Sequence, residues 1–102
     1  KLVGYYGLAA KAGKIVCGAD AVKEAIKYKK VFVVIIAEDS SLATQEKFMK
    51  YTSENNVLVY VYGNIFENSK AIGKKNKAII AIRDEGFARA ISKIIDGGDA
   101  IG

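Results

Sequence analysis

The hydrophobic pattern of the 102-residue chain switches repeatedly between a helical period and a strand period. Leu2, Tyr5, Tyr6 and Ala9 recur at helical spacing, and the face that they form ends near Gly13. Short apolar runs without alternation, such as VFVVIIA, are typical of strands buried on both faces of a sheet. The pattern predicts helices near residues 2–13, 19–28, 42–55 and 65–71 and after Asp84, and strands near residues 14–17, 31–37, 57–62 and 78–82.

Helices that alternate with strands favour an α/β fold with helices on both faces of one sheet. We therefore predict a three-layer α/β/α sandwich around a central, four-stranded mixed sheet. The length fits one domain over residues 1–102 with an ordinary hydrophobic core, and the glycine-rich residues 97–102 are predicted to be a frayed tail. Because the chain begins at Lys1 rather than at a methionine, we expect a few native residues to precede it.

The composition narrows the chemistry that the chain can perform. Histidine is absent, which excludes a Ser-His-Asp or Cys-His catalytic group and removes the imidazole ligands of ordinary zinc sites. Cys17 is the only cysteine, so an internal disulfide is excluded and the cytoplasm is the expected compartment. Apolar runs stay well short of the ~20 residues that cross a bilayer. We expect no enzymatic activity, no cofactor, no metal and no membrane association.

Positive charge is concentrated in two parts of the chain. Sixteen basic residues against eleven acidic residues give a net charge of +5. Most of the excess lies in residues 1–30 and in the segment KAIGKKNK, residues 70–77, which holds four lysines and no acid, whereas residues 31–69 are net acidic. Such patches attract polyanions, although surface lysines also serve only to keep a protein in solution.

The segment GLAAKAGK invites comparison with a phosphate-binding P-loop. It departs from that motif because five residues instead of four separate Gly7 from Gly13, and because Ile15 replaces the metal-binding hydroxyl. Gly13 is better interpreted as a helix C-terminal glycine in the left-handed conformation. We therefore do not expect a nucleotide triphosphatase.

Glu38 and Asp39 form a pair of carboxylates directly after a predicted central strand, where α/β sheets often keep ligands. Paired acids can divide the roles of general acid and general base, but adjacent residues on an extended chain point to opposite sides. Asp39, Ser40 and Ser41 are all suitable N-caps for the third helix. Helix capping is therefore the favoured interpretation of this segment.

The segment CGADAVK, residues 17–23, is more informative about ligands. Gly18 lies at a strand-to-helix junction, where it allows another backbone to approach, and the first turn of the helix exposes unpaired N–H groups. A purely structural turn explains the glycine equally well. Asp20 and Glu24 weaken a pure phosphate site because they repel anions, whereas Asp20 can accept hydrogen bonds from the donor edge of guanine.

Three segments in register resemble one known family: GLAAKAGKIVCGADAV, IIAEDSSLATQEK and AIGKKNKAIIAIRDEGFA. They are similar to the ribosomal protein family that includes the archaeal and eukaryotic large-subunit proteins seven-Ae and thirty-e, closest to its small bacterial YlxQ-type branch. The resemblance spans residues 2–95. It implies a compact α/β/α fold that binds structured RNA, typically a kink-turn, which is a bent helix with an asymmetric internal loop and tandem G·A pairs. The implied partners are a kink-turn, ribosomal RNA or an mRNA leader, together with ribosomal or other ribonucleoprotein components.

Carried over by position, the resemblance also implies a set of RNA-binding residues. Gly18, Ala19 and Asp20 would face the G·A pairs in the widened groove. The remaining residues would surround this turn: Lys14 and Lys23 on phosphates, Glu38, Asp39 and Ser40 flanking the site, and Ile72, Gly73, Lys74 and Lys75 in a second contact over the bulge.

The chain departs from the kink-turn signature at the start of the second helix. Archaeal-type binders carry Gly-x-Asn-Glu-x-x-Lys, whereas here Asp20 lacks the amide donor, Ala21 lacks the carboxylate and Glu24 reverses the charge. These departures bear on affinity and kink-turn selectivity and leave the fold untouched. The alternative function is a protein-interaction module of the same fold that has lost specific RNA binding. An enzyme of the RNA methyltransferase kind would need a separate catalytic domain, for which this chain has no room.

Overall fold

The computed structural model describes residues 2–97, in which five helices pack against one four-stranded sheet. The helices are α1 (Leu2–Lys11), α2 (Ala19–Lys27), α3 (Leu42–Glu54), α4 (Ile65–Ala71) and α5 (Glu85–Gly97), and the strands are β1 (Ile15–Cys17), β2 (Val33–Ile36), β3 (Leu58–Val61) and β4 (Ile79–Ile82). Each predicted element is present within a few residues of its expected bounds. The predicted frayed tail is wrong for Gly97, which ends α5, and its other residues lie outside the described part of the chain.

The sheet is mixed, with the strand order β1-β4-β2-β3. Strand β4 runs antiparallel to both of its neighbours, whereas β2 and β3 are parallel. The two central strands are buried on both faces, which explains why β2 and β4 are continuous apolar runs in the sequence. The predicted α/β/α architecture with a four-stranded mixed sheet is confirmed.

Helices cover both faces of the sheet and divide the core in two. On one face Tyr6 of α1 and Ile91 of α5 pack with the end of α4 against the sheet. On the other face Val22 and Ile26 of α2 pack with Phe48 of α3. Within residues 2–97, no helix has both the length and the apolar content required to span a membrane.

The strand directions give the sheet two distinct ends. At the first, which we call the Gly18 end, β1, β2 and β3 finish and β4 begins; its loops are residues 18, 37–41, 62–64 and 72–78. At the second, which we call the Lys14 end, β1, β2 and β3 begin and β4 finishes; its loops are residues 12–14, 28–32, 55–57 and 83–84. Residues that are close in the sequence therefore lie at opposite ends when a strand separates them.

Candidate nucleic-acid interface

Gly18 forms the turn between β1 and α2. Its φ of 90° and ψ of 151° lie in a region that is almost restricted to glycine. Its N–H donates to the carbonyl oxygen of Ile79 at 2.9 Å, and its own carbonyl accepts from the N–H of Val22 at 3.0 Å. A Cβ at this position would lie 3.8 Å from Nζ of Lys77. The structure thus places an ammonium group beside the turn, although the sequence analysis gave Lys77 no individual role.

The first turn of α2 is open to a ligand. Ala19 and Asp20 are exposed, and no side chain caps the helix at Gly18. The N–H groups of the first turn are therefore free of a side-chain partner from the cap residue. Asp20 adds an exposed carboxylate that can accept hydrogen bonds.

Lys23 lies one helical turn further along and faces α3. Its Nζ is 5.1 Å from the centroid of the Tyr51 ring, which is a cation–π contact. Interaction with the Tyr51 hydroxyl, reinforced by Asp20, raises the pKa of the Lys23 ammonium. Lys23 and Asp20 line the same groove between α2 and α3. Lys23, which was predicted to contact a phosphate, therefore lies in the helix that follows the Gly18 turn, and it lines this groove.

Lys14 does not lie in the Gly18 turn. Its carbonyl oxygen accepts the N–H of Arg83 at 2.8 Å, at the start of β1. The whole of β1 separates Lys14 from Gly18, a distance of about 13 Å for four extended residues. The structure therefore does not bring Lys14 together with the other predicted site residues, which corrects the expectation of a single site.

The two carboxylates after β2 brace two loops of the Gly18 end. Oε2 of Glu38 accepts the N–H of Gly63 at 3.2 Å, and Oδ1 of Asp39 accepts the N–H of Ile65 at 2.8 Å. Both bonds connect the loop after β2 with the loop after β3 and the start of α4. The carboxylates lie at the same end of the sheet as the Gly18 turn, with β4 between the two strands that lead to them, and they hold the neighbouring loops.

Ser40 has a structural role in the same loop. Its buried hydroxyl donates to the carbonyl oxygen of Ala37 at 2.7 Å. Of the three candidate caps, Ser41 is the N-cap of α3, since its Oγ accepts the N–H of Thr44. The amide of Gln45 donates to the Ser40 carbonyl at 3.0 Å. No sequence pattern had indicated Gln45, because the contact depends on how the loop folds back on the helix.

The predicted second contact is divided between the core and the surface. Ile72 is buried in the core that α1 and α5 share, so its side chain is not available to a ligand, contrary to the expectation. Gly73, Lys74 and Lys75 are exposed, and the φ of Gly73 is 72°. Only these three of the four residues form a surface at the Gly18 end.

Ser69 anchors the loop of residues 72–78, which we call the basic loop, at two positions. Its Oγ accepts the N–H of Lys77 at 2.8 Å, and its carbonyl accepts the N–H of Lys74 at 2.8 Å. Ser69 is nearly fully buried and Lys77 is half-buried, so water has limited access to the bond between them. The loop that carries the lysines is therefore anchored to α4.

An open cleft of about 640 Å³ lies between this loop and the start of α4. The ring of Phe66 on its wall is 68% exposed, and Nζ of Lys70 lies 5.9 Å from the ring centroid. The cleft also contains Asp39, so it connects the basic loop with the braced loop after β2. Basic and aromatic groups thus surround one opening.

The Gly18 end offers cations, open backbone N–H groups and a carboxylate acceptor within one surface. These are groups that bind phosphates and the edges of bases. Among residues 2–97, no three His, Cys, Asp or Glu side chains lie together as a metal site would require.

Comparison with known proteins identifies relatives over nearly the whole chain. Residues 1–92 match the family described as Ribosomal protein L7Ae/L30e/S12e/Gadd45. A protein of Enterococcus faecium named RNA-binding protein YlxQ is 31% identical over 97 residues, covering 95% of this chain and 93% of that protein. A protein of the same name from Bacillus subtilis (strain 168) is 30% identical over 93 residues, covering 88% and 90%.

Solved structures show the same fold. A protein of unknown function from Bacillus halodurans C superposes with a TM-score of 0.91 at 31% identity, covering 94% of this chain and 97% of that chain. The Giardia lamblia 15.5kD RNA binding protein superposes with a TM-score of 0.80 at 16% identity, covering 99% and 87%, and supports the fold alone. The chain therefore belongs to the ribosomal protein L7Ae/L30e/S12e/Gadd45 family.

Proposed function

We propose that this protein is a non-enzymatic, cytoplasmic RNA-binding protein that takes a kink-turn or another bent, structured RNA at its Gly18 end, within the ribosome or another ribonucleoprotein. The observation that carries the proposal is the Gly18 turn itself. A bare backbone with a φ of 90° stands next to the ammonium group of Lys77, so a phosphate backbone can come close and meet a positive charge there. Family membership and the names of the two bacterial relatives support RNA as the ligand.

Recognition in this proposal combines charge with shape. Lys74, Lys75 and Lys77 attract phosphates without regard to sequence, and this attraction weakens as salt rises. Asp20 accepts hydrogen bonds from the amino and imino groups of guanine, which a kink-turn exposes at its G·A pairs. Ala19 is exposed beside Asp20 and adds only a methyl group to this surface.

Preorganisation of the loops supports this assignment. Glu38, Asp39 and Ser69 hold three of the four loops of the Gly18 end through backbone N–H groups. A surface that is ordered before binding loses less conformational entropy when the RNA arrives. The acids thus contribute by positioning the loops, although their charge opposes the approach of phosphate.

The test is a pair of glycine substitutions, Gly18→Ala and Gly13→Ala. Both glycines have a positive φ, and neither has an atom within 3.4 Å of a new Cβ. The φ of 90° and ψ of 151° at Gly18 strain alanine more than the φ of 71° at Gly13 does, so urea unfolding first establishes that each variant is folded under the conditions of the titration. Only Gly18 lies in the proposed interface. We expect Gly18→Ala to weaken binding of a kink-turn RNA about 10-fold or more, while Gly13→Ala binds as the parent does.

The measurement is a titration of a kink-turn RNA and a straight duplex of equal length at several salt concentrations. Preference for the bent RNA, reduced in Gly18→Ala, supports the proposal. Equal, salt-sensitive binding of both RNAs indicates a non-selective basic surface and contradicts it. Equal affinities for Gly18→Ala and Gly13→Ala would remove the turn from the interface.

A protein-interaction module is the second candidate function. The observation that favours it is the groove between α2 and α3, where Asp20, Glu24, Lys23 and Tyr51 present charges of both signs beside an aromatic ring. Such mixed lining is unusual for a phosphate site, whereas protein interfaces combine a polar rim with enriched aromatic residues such as tyrosine. Failure of both RNAs to bind at low salt would favour this candidate.

A further inference from the structure

The Lys14 end carries a dense group of basic side chains that the proposed function does not use. The only acid in its loops is Asp84, whose Oδ2 accepts the N–H of Phe87 and thereby caps α5. Two more lysines stand at the helix ends that meet these loops, as do two acids, Glu54 at the end of α3 and Glu85 at the start of α5. All six basic residues are exposed: Lys11, Lys14, Lys27, Lys29, Lys30 and Arg83.

Adjacent strands bring three of these basic positions into one row. The N–H of Arg83 donates to the carbonyl of Lys14 at 2.8 Å, and the N–H of Phe32 donates to the carbonyl of Ile82 at 2.9 Å. The starts of β1 and β2 therefore flank the end of β4, with neighbouring strands about 4.8 Å apart. Lys30 precedes the first residue of β2 by three positions and continues the row.

The loop before β2 is held in one conformation. The N–H of Lys30 donates to the carbonyl of Ala25 at 2.9 Å, and the N–H of Lys29 donates to that of Ile26 at 3.0 Å. Lys29 has a φ of 56°, as expected of the left-handed residue that follows a helix in this hydrogen-bond pattern. The two lysines are thus presented from a defined turn.

Aromatic rings are exposed among these charges. Tyr28 is 60% exposed and Phe32 is 48% exposed, and Nζ of Lys27 lies 5.7 Å from the centroid of the Tyr28 ring. Tyr28, Lys30 and Arg83 line a common cleft of about 410 Å³. Glu24 is the acidic residue in that lining. A flat ring beside cations is the arrangement on which single-stranded nucleic acids stack their bases.

We propose that the Lys14 end is a second RNA-binding surface, which takes an unpaired RNA segment. Phosphates contact Lys14, Lys30 and Arg83, and one base stacks on Tyr28. An unpaired segment is favoured over a duplex because a duplex hides the base faces that the ring would contact. Since the whole sheet separates this surface from the Gly18 end, one chain binds two RNA segments at once.

The first test compares two triple variants on a U-rich single-stranded RNA of eight nucleotides. One replaces Lys14, Lys30 and Arg83 with glutamine; the matched control replaces Lys74, Lys75 and Lys77 and so removes the same charge from the Gly18 end. We expect the first variant to lose at least about 10-fold in affinity, and its slope of log K against log salt to become less steep by about 2, as for three lost phosphate contacts on a single strand. Equal losses in both triple variants would overturn the proposal.

The second test separates stacking from charge. Tyr28→Leu keeps an apolar side chain and all of the lysines, and we expect it to weaken oligonucleotide binding about 5-fold or more. Dextran sulfate is the control polyanion, because it has charge but no bases. If Tyr28→Leu leaves RNA affinity unchanged, and dextran sulfate binds as tightly as the RNA, the Lys14 end is only an electrostatic patch and the proposal fails.

A third measurement distinguishes this proposal from that for the Gly18 end. The isotope-labelled full chain is first saturated with kink-turn RNA and then titrated with the oligonucleotide, and backbone amide shifts are followed by NMR. If the two sites are separate, the oligonucleotide shifts the amide resonances of Lys29, Lys30 and Arg83, and it binds with the same affinity as in the absence of the kink-turn RNA. Competition, or shifts confined to Gly18 and Gly63, contradicts the second site. Failure of the kink-turn RNA to bind, with the Lys14-end shifts intact, overturns the first proposal alone.

Discussion

The two ends of the sheet differ in how they present positive charge. The loops of the Gly18 end carry three lysines opposed by Glu38 and Asp39, and those loops are tied together by side-chain hydrogen bonds. The loops of the Lys14 end carry four basic residues opposed by Asp84 alone, together with two exposed aromatic rings. The end with the specialised turn is therefore the less basic of the two.

This difference shows that the most basic surface of the molecule is not the surface with the specialised backbone turn. Residues 1–30 carry a net charge of +5, so the sequence alone suggests that the first third of the chain forms one basic surface. The fold instead sends Gly18 to one end and Lys14 to the other. The carboxylates at the Gly18 end accept hydrogen bonds that hold its loops. Their negative charge also lowers the positive electrostatic potential of this end. Changes that affect only one end will show whether this division is real.

The largest expected effect is at Ser69, which anchors only the Gly18 end. Ser69→Ala leaves the N–H of Lys77 without its acceptor in a partly buried place, and we expect a loss of about 1–3 kcal/mol in the free energy of unfolding. The affinity of Ser69→Ala for the kink-turn RNA should also fall, because the basic loop loses its anchor. Its affinity for the oligonucleotide at the Lys14 end should stay unchanged as long as the protein is folded. Urea unfolding and the two RNA titrations measure both effects.

Ser40→Ala is the control, because it also removes a buried hydroxyl, at 9% exposure against 2% for Ser69, and its loss leaves no donor unpaired. The carbonyl of Ala37 still accepts the N–H of Ser40 at 3.1 Å. We expect a smaller destabilisation and little change in kink-turn affinity. Similar losses in both variants would mean that Ser69 acts through general packing and has no special hold on the basic loop.

A smaller effect is expected at Asp39, where charge and hydrogen bonding act in opposite directions. Asp39→Ala removes the acceptor of the Ile65 N–H, and we expect a loss of about 1 kcal/mol in stability and weaker kink-turn binding. Asp39→Asn keeps an acceptor and removes the charge, so it should bind kink-turn RNA at least as tightly as the parent at low salt. Weaker binding by Asp39→Asn would show that the carboxylate itself contacts the RNA.

The smallest effect is expected in the core, at Tyr6. Its hydroxyl is buried without a hydrogen-bond partner among the described residues, and burial, with Tyr62 nearby, raises the pKa of the phenol. Tyr6→Phe removes an unsatisfied polar atom, so stability should stay equal or rise by up to about 1 kcal/mol. Thermal unfolding measures this, and RNA binding at both ends should be unaltered. A clear destabilisation would reveal a water or other partner at the hydroxyl.

Local patterns in the sequence were sufficient for the elements but not for the site. The continuous apolar runs in the sequence became β2 and β4, which are buried on both faces. Val22 and Ile26, four positions apart, both lie on the buried side of α2, as their helical spacing predicts. The same patterns cannot tell where strands point. Lys14 is only four residues from Gly18 in the sequence, yet one extended strand sends it to the opposite end.

Other features of the site depend on contacts between distant residues. The bonds of Glu38 to Gly63 and of Asp39 to Ile65 join positions more than twenty residues apart. Ile72 belongs to a basic, polar segment and is nevertheless buried, because the end of α4 packs against α1. Pairing of this kind follows from strand order and register, which no local period encodes.

The direction of β4 has a geometric consequence for any RNAs that bind at both ends. Because this central strand runs against its neighbours, the chain enters it beside Lys77 and leaves it at Arg83, after only four strand residues, Ile79–Ile82. Those residues are buried and hydrogen-bonded on both sides, so they form a stiff spacer instead of a flexible linker. Two RNA segments bound at the two ends would be held at one fixed separation and one relative orientation.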